Sequence, residues 1–292
     1  MRISIAPNPW FWPREVTLAF YRDVASWPVD VVYVGETICS KRRELKSSDW
    51  LAIAEQLAAA GKEVVLSALA LVESESEIGA MSRLIENPKF IVEANDLSAV
   101  QLCRQAGRPF VAGPSLNIYN ATTLRLLQED GLVRWVPGTE QGRALIGDLL
   151  SVLERDGGCR PELEVLAWGQ PALAWSARCF TARALDTAKD DCGFRCIDFP
   201  DGLPLATRDG EPFLRINGVQ IMGHETIDLG PELDDFRALG VDIVRISPQV
   251  KGLITVVERF RAALDTGGVS VRVGAPSGYW TGTTGAARLA GA

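Results

Sequence analysis

Three of the six cysteines of this 292-residue chain, Cys179, Cys192 and Cys196, fall in one short segment, with twelve and then three residues between them. A gap of three residues lets two thiolates reach one metal centre across a single turn. Their flanks, Asp190, Asp191, Gly193 and Arg195, read as a polar loop and not as the apolar face of a helix. Packing of small apolar thiols, the usual fate of a cysteine, therefore does not explain them. Cys39, far upstream, becomes the fourth donor if the fold carries it to the same place.

Disulfides are the competing use of clustered thiols. The amino-terminal stretch MRISIAPNPWFWPREV lacks a basic region leading into a long apolar one, so it does not read as a secretory signal. No segment runs to the roughly 20 apolar residues that span a bilayer. The chain is thus expected in the cytoplasm, where thiols stay reduced and clustered cysteines serve metals or catalysis. Zinc and an iron–sulfur cluster both accept four thiolates. Zinc ribbons present two short-spaced pairs, whereas here three donors are near and one is remote. Cations crowd the donors: Lys41, Arg42 and Arg43 follow Cys39, while Arg178 and Arg195 directly precede Cys179 and Cys196. Positive charge there is expected to lower thiol pKa and to offset the negative charge of a cluster, which favours the cluster and leaves zinc as the alternative.

Other chemistries find less support. A net charge of −7 and a pI near 5.0 exclude a nucleic-acid footprint, since phosphates demand concentrated cationic surface. No GxxxxGK[ST] or GxGxxG loop follows a strand. The one histidine, His224, is followed by Glu225 and Asp228 but has no second histidine to complete HExxH. With no nucleophile–base pairing visible, hydrolysis is not expected.

Positioning these thiols requires a scaffold, and the chain supplies a regular one. Eight short apolar runs start at Ile3, Val29, Glu63, Phe90, Pro109, Val133, Leu163 and Val241, each followed by a longer amphipathic stretch. That alternation predicts βα units around a parallel sheet, and eight of them predict a TIM-like (β/α) barrel occupying 1–292 as a single domain. Ser47 or Ser48 is the expected N-cap of one helix, which stops at Gly61. Cys103 lies on the apolar stripe of another helix, and Cys159 in a turn before the seventh strand, so both are assigned structural roles. In such barrels function gathers on the loops leaving the strand C-termini. Cys39 follows the second strand and Cys179 the seventh, which places both on that face. The stretch at about 171–230 reads as a cysteine-bearing insertion after the seventh strand, with small β-hairpins turning at Asp201 and Asp209 and lying over the barrel mouth. Polar residues at strand ends, Glu36, Glu93, Asn95, Asn117, Trp168, Gln170 and Arg245, are the candidates for a substrate pocket.

The runs GETICSKRREL at Gly35, SARCFTAR at Ser176, KDDCGFRC at Lys189 and RISPQ at Arg245 resemble the ubiquinone-biosynthesis branch of the collagenase-like peptidase (U32) superfamily. The likeness extends from APNPWFWP at Ala6 to GYWTGTTG at Gly278. It implies a [4Fe–4S] cluster on Cys39, Cys179, Cys192 and Cys196. It further implies a heterodimer with a homologous cluster-bearing partner and a part in hydroxylating a ubiquinone precursor without dioxygen, with prephenate as oxygen donor. Trp10, Trp12, Trp27 and Trp280 are candidate anchors for that partner, since tryptophan is enriched at interface hot spots.

Overall fold

The computed structural model describes residues 1–275 and 277–283; Thr284 and Gly285, the end of the GYWTGTTG run, lie outside the described residues. Each of the eight apolar runs forms a strand. They are β1 (Arg2–Ile5), β2 (Val31–Val34), β3 (Glu63–Ser67), β4 (Ile91–Ala94), β5 (Phe110–Ala112), β6 (Leu132–Trp135), β7 (Glu162–Gly169) and, after five further strands, β13 (Ile243–Ile246). They pair in parallel in chain order, β7 joins β13, and β13 returns to β1, with Ser4 opposite Arg245. The pairing of β6 with β7, Trp135 opposite Leu163, leaves no open edge between them. The chain therefore closes an eight-stranded parallel TIM-like α/β barrel, as its alternation predicts.

Helices wrap the barrel: α1 (Arg14–Val24), α2 (Ser47–Ala59), α3 (Glu75–Ile85), α4 (Leu97–Gln105), α5 (Ala121–Glu129) and α6 (Arg143–Arg155) follow the first six strands. Their starts are written in side chains that accept orphan amides of the first turn. Asp96 accepts from the Ser98 amide (2.8 Å) and Asn120 from the Thr123 amide (2.7 Å). The serine cap predicted for α2 is not used. Its cap position is Lys46, and Asp49 reaches back to the Lys46 amide (2.7 Å) while also binding Arg14. Gly61 does end that helix, in the left-handed region (φ +83°).

Between β7 and the helix that serves it stands the insertion. It contains β8 (Ala172–Trp175), α7 (Phe180–Ala184), β9 (Leu203–Ala206), β10 (Pro212–Asn217), β11 (Gln220–Gly223) and β12 (Ile227–Asp228); α8 (Leu233–Leu239) then leads to β13, and α9 (Leu253–Asp265) and α10 (Gly278–Thr281) complete the described chain. The hairpin predicted at Asp209 joins β9 to β10 in a four-stranded antiparallel sheet of order β8-β11-β10-β9, whereas Asp201 turns no hairpin, since it precedes β9 and the second hairpin turns at Gly218 between β10 and β11. The sequence alone hides two strands of the insertion. β8 lies next to β7 in the sequence, and β12 turns back antiparallel on the end of β7, Ile227 opposite Gly169.

The β1–α1 segment holds this sheet to the barrel. Trp10 and Trp12 pack with Met222 of β11. Trp10 Nε1 donates to the Pro248 carbonyl and Trp12 Nε1 to that of Pro200, each at 2.9 Å. Tryptophans proposed as partner anchors are thus consumed inside the chain. Trp280 is buried on Phe236 (4.7 Å between ring centroids), and Trp27 packs edge-on against Phe20. The physical reason is size: an indole removes enough apolar area from water to fix an insertion that has little core of its own.

Candidate metal centre and barrel cavity

Cys39 sits in a tight loop after β2. Gly35 opens it at φ +137°, where a Cβ would meet the Ser67 carbonyl oxygen at 2.5 Å, so only glycine fits. Glu36 then accepts from the amides of Ile38 (2.8 Å) and Cys39 (3.1 Å), which curls the loop toward the insertion. Cys179 is the N-cap of α7, its Sγ facing the Ala182 amide at 3.5 Å. Cys192 ends a short 3₁₀ turn at Lys189–Asp191, and Cys196 lies in a second at Arg195–Asp198, with Phe194 left-handed (φ +55°) between them.

Two sets of contacts join these pieces. Lys41 pairs with Asp190, and Lys189 pairs with Glu73. The β10–β11 turn docks at Gly218, whose carbonyl accepts the Phe180 amide (2.8 Å) and whose amide donates to Thr181 Oγ1 (2.9 Å). A Cβ on Gly218 would stand 3.1 Å from Arg42 Nη2 and 3.3 Å from Ile38 Cγ2. All four thiols are half-buried.

Of the five cations singled out in the sequence, one is built into this site. Arg42 is buried, donating to the Pro9 carbonyl (2.8 Å) and Asn217 Oδ1 (2.7 Å), 3.8 Å from Glu36 and over the Phe11 ring. Its Nε lacks an acceptor. Arg43, Arg178 and Arg195 are exposed, and Arg195 pairs only with Asp198. The expectation that cations depress the thiol pKa values fails for two of them. Burial pushes Cys39 and Cys196 up, and Arg42 offsets only part of that rise.

Among the described residues no three His, Cys, Asp or Glu side chains stand close enough to hold a single metal ion. Zinc bound at about 2.3 Å would need its four sulfurs about 3.8 Å apart. Four half-buried thiols are a donor set that a [4Fe–4S] cluster accepts, and the buried Arg42 guanidinium offsets thiolate charge at Cys39 and Cys196. Cys103 is fully buried in α4 and pushed up to about 11 by burial, and Cys159 is exposed, so both stand apart from the four.

Beneath the inserted sheet lies a cavity of about 90 Å³ at the C-terminal face of the barrel. Glu93, Asn95, Gln170 and Arg245 line it, as predicted. The other three candidates do not: Glu36 serves the Cys39 loop, Asn117 is exposed in a left-handed cap, and Trp168 points outward beneath Arg259. Ile38 lines the cavity one residue from Cys39, so the thiol site and the cavity share a wall.

The cavity floor is ionic. Arg245 donates to Glu93 (2.7 Å) and Glu164 (3.0 Å), and Glu164 also accepts from Ser4 (2.7 Å) and Tyr33 (2.5 Å). Below it Arg134 donates to Tyr33 (3.2 Å) and Glu63 (2.5 Å). Burial opposes the charge of Arg245, yet Glu93 and Glu164 hold its pKa above the ordinary guanidinium value. Burial raises the Tyr33 hydroxyl well above its usual value, and the Glu164 charge adds to it. Glu164 and Arg134 were visible in the sequence as lone charges inside the apolar runs LEVLAW and VRWVP, at positions where strand alternation turns them inward.

His224 has a buried Nδ1 without a hydrogen-bond partner among the described residues. The structure defines an α/β-barrel protein with a small, largely apolar cavity of ionic floor at its C-terminal face and four half-buried cysteines on a neighbouring loop and the insertion. The model of peptidase family U32 matches residues 21–270, and the chain belongs to that family. Among solved structures it is similar to the U32 peptidase Mk0906 (13% identity, covering 85% of this chain and 93% of that one, TM-score 0.46). It is also similar to dihydropteroate synthase from Anaplasma phagocytophilum (11%, 90% and 100%, TM-score 0.38). Among the described residues no helix is long and apolar enough to cross a membrane.

Proposed function

We propose that the chain is a UbiV-type subunit that carries a [4Fe–4S] cluster on Cys39, Cys179, Cys192 and Cys196. With a UbiU-like homologous partner it serves the oxygen-independent hydroxylation of a ubiquinone precursor. The observation that supports the reading is that the Cys39 loop and the cysteine-bearing insertion meet at buried Arg42, which bonds Asn217 of the insertion, with four half-buried thiols on those two segments. When bound, the cluster supplies one-electron chemistry at a fully ligated centre. The chain's own residues shield that centre and place it against the cavity through Ile38. Prephenate as oxygen donor rests on the sequence likeness. Inside the barrel its carboxylates would meet Arg245 already bound to Glu93 and Glu164.

Protein purified without oxygen is expected to be brown, with about four irons and four sulfides per chain, and to elute with the partner on co-expression. A colourless, zinc-loaded chain would establish the alternative, a scaffold stapled by zinc, and separate monomers would remove the pairing. Arg42→Gln is expected to lower the reduction potential, because a buried cation near the cluster favours the added electron. Arg178→Gln and Arg195→Gln, both at exposed positions, are expected to leave it unchanged. Equal potentials in all three variants would show that Arg42 does not tune the centre.

A further inference from the structure

A second cavity, of about 320 Å³, lies outside the barrel mouth between the insertion and the loop that follows β13. Trp10, Gln170, Arg215, Thr226, Gln249 and Lys251 line it, together with Asp201 and Val250. Gln170 lines the inner cavity as well, so the two spaces share that side chain.

Its charges set it apart from the barrel interior. There every arginine is bound to carboxylates, whereas here two cations have none. Arg215 donates once, from Nη1 to the backbone carbonyl of Asp201 (2.8 Å), and its Nε is buried without an acceptor. No ion pair joins Lys251 or Arg215 to an acid among the described residues. The Asp201 carboxylate offsets one of the two charges, leaving the lining net positive in a chain of net charge −7. A buried cationic donor without a partner is costly, and an oxyanion removes that cost by accepting from it. The amides of Gln170 and Gln249 are neutral donors beside the two cations, and Gln249 already contacts Thr226 (3.3 Å).

Location points the same way. The cavity lies beyond the C-terminal ends of the seventh and eighth barrel strands, where α/β barrels most often seat a phosphate. We infer that this cavity binds the oxyanion group, carboxylate or phosphate, of a small molecule, with Arg215 and Lys251 as its charged donors and Trp10 as an apolar wall.

The test titrates the full chain with inorganic phosphate and, separately, with malonate, by calorimetry at low salt, on parent, Arg215→Gln and Lys251→Gln proteins. At least one of the two anions is expected to bind. Each substitution is expected to weaken it by about tenfold or more, the effect of one hydrogen bond to a charged group, and binding should weaken as salt rises. Which anion binds identifies the group. Lys251 is exposed, so its variant folds even if Arg215→Gln does not. Iron content, measured in each variant, is expected to stay at the parent value, which separates this site from the thiol centre. If neither anion binds, or if the affinity is the same in parent and Lys251→Gln protein, the inference is overturned.

Discussion

Serine at Cys39, Cys179, Cys192 or Cys196 is expected to cut iron per chain from about four to below one, because an alkoxide is a far poorer iron ligand than a thiolate. Cys103→Ser and Cys159→Ser are expected to keep it. The contrast follows from placement: the four sit half-buried on the β2 loop and the insertion, while Cys103 is sealed on the inner face of α4 and Cys159 faces solvent. Cys103→Ser carries its own signature, a loss of about 1–2 kcal/mol from burying a hydroxyl where a small apolar thiol was packed. Iron content and the visible spectrum after anaerobic reconstitution read the first effect, and urea unfolding reads the second. Cys39 is the decisive position, since it alone comes from the second βα loop. Full iron retention in Cys39→Ser would break the four-ligand assignment.

Arg245→Met is expected to destabilise the barrel by about 3–5 kcal/mol, because it leaves Glu93 buried without its cation and Glu164 with only Arg134, at 3.7 Å. Both carboxylates are fully buried, and the side chain of Arg245 is only 5% exposed, so water cannot take over its role. Arg195→Gln breaks an ion pair of similar distance, Arg195 to Asp198 at 2.5 Å, between partners 56% and 47% exposed. Its cost is expected below about 1 kcal/mol, since water competes for both partners. Urea midpoints at a constant slope compare the two. An Arg245→Met protein within about 1 kcal/mol of the parent would mean that Glu93 or Glu164 takes up a proton or another partner at little cost.

The amino-acid sequence by itself determined the barrel. Eight β-branched runs with amphipathic stretches between them admit few other folds, and strand alternation turned Glu93, Glu164, Arg134 and Arg245 inward without any tertiary information. It also marked the four thiols, through loop context and through the rule that functional loops leave strand C-termini on one face. What the sequence left open was any choice that depends on burial. The run Lys41, Arg42, Arg43 offers three equivalent cations, and only the docking of Gly218 and Asn217 decides that Arg42 is enclosed while Arg43 stays in water. Whether cations or burial would dominate thiol pKa was likewise undecidable, since desolvation depends on neighbours far away in the chain. Trp10 and Trp12 show the same limit: an indole covers an insertion or a partner equally well, and the packing of Met222 against both rings decides for the insertion. The second cavity has no local signature, because Trp10, Arg215 and Lys251 come from three distant segments and meet only when the inserted sheet closes over the barrel.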